Sequence, residues 1–212
     1  MNQVSTLDSA KMPKTARGKR TRAKLLDAAE GEFGERGFHD ASISGITDRA
    51  GVALGTFYVY FDSKEAVFRA LVGHMGHLTR AWIAEKLAGV ADRLAAERLG
   101  IEAFVHFARQ HKALYRIVME AQFVAPDAYR AYYENFAEAY RDNLAKAQTA
   151  GQISPGRDDV RAWSLIGLNV FLGLRYGVWD DKADTAAIAA AAGDFIAHGL
   201  SPRGGKKDGD GD

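Results

Sequence analysis

Apolar residues recur every three or four positions along most of the chain, in runs that begin at capping residues and end at glycines or prolines. This spacing places the apolar side chains on one face of a helix. No run alternates apolar and polar residues around an Asn-Gly turn, so no β-hairpin is indicated. With 47% hydrophobic residues, the chain can build a packed core. We therefore predict an all-α fold of about nine helices.

Caps and breakers set the predicted helix boundaries. The first helix is expected from Gly18 to Arg36, with Gly37 as a left-handed C-terminal cap. Ser42 caps a short second helix that Gly51 ends. The later helices are expected at residues 53–60, from the Asp62-Ser63 cap to 87, and at 92–110, 112–122, 126–150, 158–179 and 184–199.

Four regions are predicted along the chain. Residues 1–17 are a flexible basic arm, and residues 18–64 form a helix-turn-helix DNA-binding domain. Residues 65–200 form a helical ligand-binding and dimerisation domain. Residues 201–212 contain only glycine, proline, serine and charged side chains, so we expect a disordered tail.

Composition excludes several classes of protein. The absence of cysteine excludes a disulfide scaffold, thiolate metal sites and a cysteine nucleophile. Residues 1–24 lack the apolar segment of a secretion signal. The most apolar segment, 162–179, is short for a bilayer and contains Arg175, which favours a buried helix over membrane contact. A cytoplasmic protein without membrane partners is predicted.

The segment 42–61, SISGITDRAGVALGTFYVYF, has the pattern of a helix-turn-helix. Gly51 stands at the turn, where a positive φ is easily reached only by glycine. The second helix carries small and hydroxyl-bearing aromatic residues, which can approach phosphates and base edges. Read alone, the same residues also fit the first helices of an ordinary bundle.

A block of basic residues precedes this segment. Residues 11–24 contain seven cations and no acid: Lys11, Lys14, Arg17, Lys19, Arg20, Arg22 and Lys24. Because the whole chain has a net charge of only +1, the remainder is acidic. Such segregation is typical of a phosphate-contacting surface, although a solvated helix start is the alternative.

Residues 25–72 resemble the N-terminal domain of TetR/AcrR-type bacterial transcription regulators. The matching features are Ala28-Ala29 with Phe33, Gly37-Phe38, Ile46 with Ala50-Gly51-Val52, Gly55-Thr56-Phe57-Tyr58, Tyr60-Phe61 and Ser63-Lys64-Glu65. They follow without a gap over about a quarter of the chain. Gly45 and Thr47 depart from the usual pattern, in which a charged residue and an alanine are commoner.

The resemblance implies roles in DNA binding. Phosphates would be contacted by Ser42, Thr56, Tyr58 and Lys64. The major groove would be faced by Ser44, Leu54, Gly55, Val59 and Tyr60. For Tyr58, a packed aromatic is the alternative; Val59 suits a thymine methyl. The partner is double-stranded operator DNA.

The resemblance also implies a homodimer whose last two helices pair with those of a second copy. Segment 158–179 is apolar almost all round, which requires burial on two sides. Segment 184–199 is rich in small residues that permit close approach of helices. A two-fold dimer predicts a palindromic operator.

Aromatic and polar residues of the middle helices are candidates for a small-molecule effector site, with ordinary core as the alternative. They are Trp82, Phe107, His111, Tyr115, Met119, Phe123, Tyr133, Phe136, Asn169 and Arg175. Within an apolar helix, Arg175 needs a partner, either an acid such as Glu120 or an acidic ligand. No cofactor is predicted, and His74 and His77 lack the further ligand that a metal site needs.

The chain is thus expected to be a ligand-responsive transcription regulator, a repressor that a hydrophobic or acidic molecule releases. Residues 114–140 loosely resemble TetR-type regulators of fatty-acid or aromatic-acid degradation, some of which sense acyl-CoA thioesters. Repressor or activator stays open. An all-helical enzyme or carrier for a hydrophobic acid is the alternative, but no nucleophile or phosphate-loop motif supports an enzyme.

Overall fold

The computed structural model describes residues 12–200, and this part of the chain is helical without strands. Lys11 and the predicted tail, 201–212, lie outside the described residues. The helices are α1 (Ala16–Asp40), α2 (Ile43–Ala50), α3 (Leu54–Tyr60), α4 (Lys64–Lys86), α5 (Arg93–Gln110), α6 (Ala113–Val124), α7 (Pro126–Thr149), α8 (Asp158–Gly173) and α9 (Thr185–Leu200). The all-α prediction is confirmed.

Helix ends follow the predicted local chemistry. The Ser42 hydroxyl accepts from the Gly45 N–H at 2.9 Å, and Ser63 does the same for Ala66 at 3.1 Å. α1 begins two residues earlier than expected, because Thr15 caps it. It also continues past Gly37, which has φ 77° and ψ 171° and bends the helix instead of ending it.

One predicted helix is wrong in its second half. The segment expected as a continuous helix over 158–179 is α-helical only to Gly173, and Leu174–Trp179 is π-helical. A π turn inserts an extra residue per turn, so it rotates the following side chains relative to an α-helix. Spacing rules based on 3.6 residues per turn do not indicate this change of helix type.

The chain divides into two compact units. The first comprises residues 1–81 and 107–135, and the second comprises residues 82–106 and 136–212. In the first unit, the rings of Phe33, Phe38 and Phe68 contact one another with centroids 5.0–5.8 Å apart. The core of the second unit includes Ile101, Val105, Leu144, Ile153, Leu165 and Ile196.

Within residues 12–200, no helix has the length and apolarity that crossing a membrane would require.

Candidate nucleic-acid interface

The turn between α2 and α3 has helix-turn-helix geometry. Gly51 adopts φ 64° and ψ 40°, the left-handed conformation predicted for it. The Val52 N–H then donates to the Thr47 carbonyl at 3.1 Å, which closes the end of α2 and redirects the chain into α3. Nothing lies within 4 Å of where a Gly51 side chain would begin, so the backbone angle alone selects glycine here.

α3 divides into a buried side and an exposed side. Phe57 is fully buried and contacts Phe61, with ring centroids 5.7 Å apart. Leu54, Tyr58 and Val59 are instead 51%, 48% and 65% exposed. A short helix that buries one aromatic side chain and exposes three large ones has the character of a binding surface.

Gly55 adds to this surface. It lies in the first turn of α3, is exposed, and has nothing within 4 Å of the position that a Cβ would take. Nothing inside the described part of the protein requires glycine there, although glycine weakens a helix by up to about 1 kcal/mol relative to alanine. Thr56 and Tyr60, also predicted for DNA, are half-buried.

The N-terminal turn of α2 presents two hydroxyls. Ser42 and Ser44 are exposed, and their Oγ atoms lie 3.0 Å apart. Ser42 also caps α2, and one of the two hydroxyls donates to the other, which leaves one hydroxyl hydrogen for a further acceptor. A phosphate oxygen is a suitable acceptor for such a pair of hydroxyls.

The basic start of α1 lies beside α3. A Cβ at Gly18 would be only 3.6 Å from the Tyr60 hydroxyl, and the Arg22 guanidinium lies 5.3 Å from the centroid of the Phe61 ring. The other predicted cations of residues 12–24 are exposed: Lys14, Arg17, Lys19, Arg20 and Lys24. The first unit therefore combines the exposed side of α3 with a row of positive charge.

Lys64 makes structural contacts that were not predicted from the sequence. Its ammonium donates to the carbonyls of Phe38, His39 and Ala41 at 2.8, 3.2 and 2.9 Å, and it lies 4.6 Å from the Phe38 ring centroid. The side chain thus holds the segment between α1 and α2. A phosphate contact by Lys64 stays a prediction.

A buried carboxylate attaches α2 to α1. Glu32 is only 1% exposed, and its Oε2 accepts from the Arg49 Nε at 2.9 Å while its Oε1 lies 3.4 Å from Arg36 Nε. Arg49 also pairs with Glu35, and this guanidinium lowers the pKa of the Glu35 carboxyl below its ordinary value. The resulting network fixes α2 against α1.

In the first unit, some candidate effector residues come together and others do not. The rings of Phe107 and His111 stack with centroids 4.3 Å apart. Burial and the nearby hydroxyl of Tyr132 raise the pKa values of Tyr115 and Tyr133. Met119 and Phe123 instead lie at the surface, 47% and 82% exposed.

Sequence reasoning missed the polar neighbours of this tyrosine cluster. Thr79 is fully buried on α4, and Tyr132 is buried so deeply that the pKa of its phenol rises to about 12. Partial burial lowers the pKa of the adjacent Arg80 guanidinium. The sequence does contain an indication of this polar group, because Gly76, Thr79 and Arg80 lie at i, i+3 and i+4 on one face of a helix.

In the second unit, Asn169 is buried and donates to the Tyr140 hydroxyl at 3.2 Å and to the Leu165 carbonyl at 2.9 Å. Trp82 donates its indole N–H to the Ala103 carbonyl at 3.1 Å. Phe136 is half-buried. Asn169 and Trp82 thus have the hydrogen-bond partners of an ordinary core, and the effector role of all three residues stays a prediction.

The expectation that Arg175 is buried within an apolar helix, with an acid such as Glu120 or an acidic ligand as its partner, is wrong in its premise. Its side chain is 50% exposed, lies 3.4 Å from Asp180, and stands over the Tyr176 ring. Arg175 belongs to the π-helical turn that begins at Leu174. Glu120 instead accepts from the Phe38 N–H at 2.9 Å.

The last two helices expose large apolar side chains. On α8, Val160, Trp163 and Phe171 are 53%, 43% and 71% exposed. On α9, Phe195 is 73% exposed, whereas its neighbour Ile196 is buried. Isolated exposed apolar residues are ordinary, but several on one face indicate a surface that a partner covers.

Within the described residues, no group of three or more metal-ligating side chains could hold an ion.

Comparisons with known proteins agree with this geometry. The family model described as "Bacterial regulatory proteins, tetR family" matches residues 25–71. The uncharacterized HTH-type transcriptional regulator YdgC of Bacillus subtilis (strain 168) is 30% identical over 194 residues, which cover 89% of this chain and 97% of YdgC.

Two solved structures share the fold. The fatty acid degradation regulator FadR from Bacillus halodurans has a TM-score of 0.74 and 19% identity, and the match covers 91% of this chain and 100% of that one. FadR from Bacillus subtilis, in complex with stearoyl-CoA, has a TM-score of 0.71 and 20% identity, with 84% and 98% covered. Identities this low establish the fold alone.

Proposed function

Since the chain belongs to the tetR family of bacterial regulatory proteins, we propose that this transcriptional regulator is a repressor that binds a palindromic operator as a homodimer. We propose further that an acidic, hydrophobic small molecule releases it from DNA. The observation that carries the proposal is the exposed side of α3, with Leu54, Tyr58 and Val59 in water and Gly55 without a neighbour.

The proposed contacts divide into positioning and reading. The hydroxyls of Ser42, Thr56 and Tyr58 and the basic start of α1 bind phosphates, which fixes the register of the protein on DNA. The residues that face base edges in the major groove are Ser44, Leu54, Gly55, Val59 and Tyr60, and Val59 suits a thymine methyl. α3 has seven residues, enough for about two turns within the groove.

DNA binding is tested by gel shift with the promoter fragment upstream of the protein's own gene, at several salt concentrations. We expect a sequence-selective shift that weakens as salt rises, because cations on the protein displace counterions from the phosphates. Tyr58→Phe should weaken binding to matched and mismatched fragments by a similar factor. The absence of any selective shift would contradict the proposal.

A dimer is supported by the exposed apolar face of α8 and α9. A second copy that covers Trp163, Phe171 and Phe195 would remove these side chains from water at about 25 cal/mol per Å² of apolar area. A two-fold dimer carries two copies of α3, which is the reason to expect a palindromic site. Sedimentation of the purified protein at several concentrations measures the association.

The effector is proposed to be a long-chain acyl-CoA or a related acid. Support comes from FadR of Bacillus subtilis, which was solved with stearoyl-CoA, and from the half-buried Arg80 beside Tyr132. A guanidinium among tyrosines can hold a carboxylate or phosphate while the rings contact an apolar chain. We therefore propose Arg80 as the residue that binds the acidic ligand, instead of Arg175, which was predicted from the sequence.

The effector proposal is tested by titrating stearoyl-CoA into the protein–DNA complex. Release of DNA is expected, and a typical allosteric coupling of about 1–3 kcal/mol corresponds to a loss of roughly 5–150-fold in affinity. Arg80→Gln should blunt the release. Arg69→Gln is the matched control, because Arg69 lies on the same helix but pairs with Asp127 at the surface.

A promoter–reporter fusion in cells with and without the gene decides between repressor and activator. Deletion of the gene should raise expression from the bound promoter. A fall in expression would show that the bound protein activates.

A further inference from the structure

Two charged side chains of α6, Arg116 and Glu120, form hydrogen bonds with the backbone of α1 on either side of its bend. The Arg116 guanidinium donates from Nη1 to the carbonyls of Gly34 and Glu35, at 3.2 and 2.8 Å. Glu120 accepts from the Phe38 N–H at 2.9 Å. Both therefore bind main-chain atoms on either side of Gly37, and hydrogen bonds that involve a charged group are stronger and shorter than neutral ones.

The two side chains also enclose Gly37 itself. A Cβ at this position would lie 2.6 Å from Glu120 Oε1 and 2.7 Å from Arg116 Nη2. The backbone there has φ 77° and ψ 171°, a conformation that is essentially restricted to glycine. The bend in α1 is thus fixed by its own backbone and by two charged groups from a different helix.

The packing below the bend is equally close. A Cβ at Gly34 would lie 2.5 Å from the Ala113 Cβ, so α1 and the first turn of α6 touch through a glycine. Such an approach leaves little room for one helix to slide over the other without losing contacts. The close packing against α6 consequently fixes the direction in which the end of α1 points.

That direction determines where the DNA-reading helices lie. Residues 38–41 connect the bend to Ser42, the cap of α2, and α2 leads through Gly51 into α3. Lys64 holds the same connection from α4 through three carbonyls. Glu32 and Arg49 also hold α2 against the part of α1 that precedes the bend, so this ion pair and the bend at Gly37 together set the direction of α2 and α3 relative to α6.

We propose that Arg116 and Glu120 are positioning residues. They fix the angle between α6 and the pair of helices α2 and α3, and thereby the half-site separation that the dimer accepts on DNA. This inference rests on the proposed function, because it requires two copies of α3 on one operator. A dimer with a fixed angle reads two half-sites at one separation. A dimer with a loose angle reads several.

The test uses duplexes that contain the half-site selected from a random library, with the spacer lengthened or shortened one base pair at a time. Each added base pair turns one half-site by roughly a tenth of a helical turn. The full-length wild type should prefer one spacer by about tenfold or more, equivalent to about 1.4 kcal/mol. Arg116→Gln, Glu120→Ala and the double variant remove these contacts and should flatten this preference to about threefold or shift its optimum.

The control is a second Arg–Glu pair at i, i+4 that does not touch α1. Arg130 and Glu134 on α7 lie 3.8 Å apart, and Arg130 is 82% exposed. Arg130→Gln with Glu134→Gln removes the same charges and should keep the wild-type spacer profile. Arg116→Lys keeps a donor for one carbonyl and should restore part of the preference.

The outcomes separate this inference from the proposed function. If the wild type binds no duplex at any spacing, the proposed function is wrong and this inference falls with it. If the wild type prefers one spacer and the α6 variants keep that profile, even with uniformly weaker binding, only this inference is overturned. Circular dichroism confirms that each variant is folded, and Glu120→Ala alone suffices should Arg116→Gln fail to fold.

Discussion

The carboxylate of Glu32 occupies the space where a side chain at Gly45 would begin. A Cβ at Gly45 would lie 2.6 Å from the Glu32 Cδ, and that carboxylate is 1% exposed and held by Arg49. Glycine at position 45, a departure from the family pattern, is thus explained by the close approach of α1 and α2. The adjacent departure, Thr47, is buried and donates its hydroxyl to the Ser44 carbonyl at 2.9 Å.

Gly45→Ala should therefore lower the free energy of unfolding by about 1–3 kcal/mol, because the new methyl group displaces a buried, paired carboxylate. Helix propensity alone would predict a gain of up to about 1 kcal/mol. Urea denaturation measures the difference. The same change in a Glu32→Ala background should cost at least about 0.5 kcal/mol less, and strictly additive effects would contradict the contact.

Gly34 and Gly73 form a matched pair of glycines within helices. Gly34→Ala should destabilise the protein by about 1–3 kcal/mol, because its Cβ would meet the Ala113 Cβ at 2.5 Å. Gly73 is exposed on α4 with nothing within 4 Å, so Gly73→Ala should stabilise it by up to about 1 kcal/mol. Thermal unfolding of both variants checks the opposite signs; a stabilising Gly34→Ala would show that α1 and α6 do not pack so closely.

Gly55→Ala should separate stability from DNA binding. The open space around Gly55 means that alanine strengthens α3, raising the free energy of unfolding by about 0.5–1 kcal/mol. The added methyl group should nevertheless weaken operator binding, because it stands where the duplex would approach. Chemical denaturation and a gel shift on the same preparations test both halves, and unchanged DNA affinity would remove Gly55 from the interface.

The exposed phenylalanines of the two units test the dimer surface. Phe195→Asp should dissociate the dimer, since an unpaired carboxylate in an apolar interface is costly. Phe123, 82% exposed on α6, is the control, and Phe123→Asp should leave the dimer intact. Analytical ultracentrifugation gives both association constants. Equal loss with the two variants would locate the dimer contact elsewhere than on α9.

Stability should fall at mildly acidic pH through His74. Burial is the main reason that the pKa of this imidazole lies below its ordinary value, since it disfavours the charged form. With a lower pKa in the folded state, the unfolded chain binds more protons once the pH falls below about 6.5. Melting temperatures at about pH 7.5 and 5.5 should differ less for His74→Gln than for the wild type, and an equal difference would contradict the assignment.

Features set by adjacent residues could be read from the sequence. Ser42 caps α2 because its own hydroxyl reaches an N–H three residues away, and Gly51 ends α2 because of its own backbone angles. The helix-turn-helix consequently appeared at its correct position, and the exposed α3 residues Leu54, Tyr58 and Val59 were among those predicted to meet DNA. Their contacts with DNA stay predictions.

Features that depend on distant neighbours were decided only by the tertiary structure. Lys64 binds carbonyls more than twenty positions earlier, Glu120 binds the N–H of Phe38, and Glu32 excludes a side chain at Gly45. The π-helical turn at Leu174–Trp179 was also not predicted, because apolar spacing does not distinguish it from the end of an α-helix. Local hydrogen bonds and backbone angles involve only a few neighbouring residues, so they can be predicted from the sequence. The partners of a charged side chain depend instead on how separate helices pack.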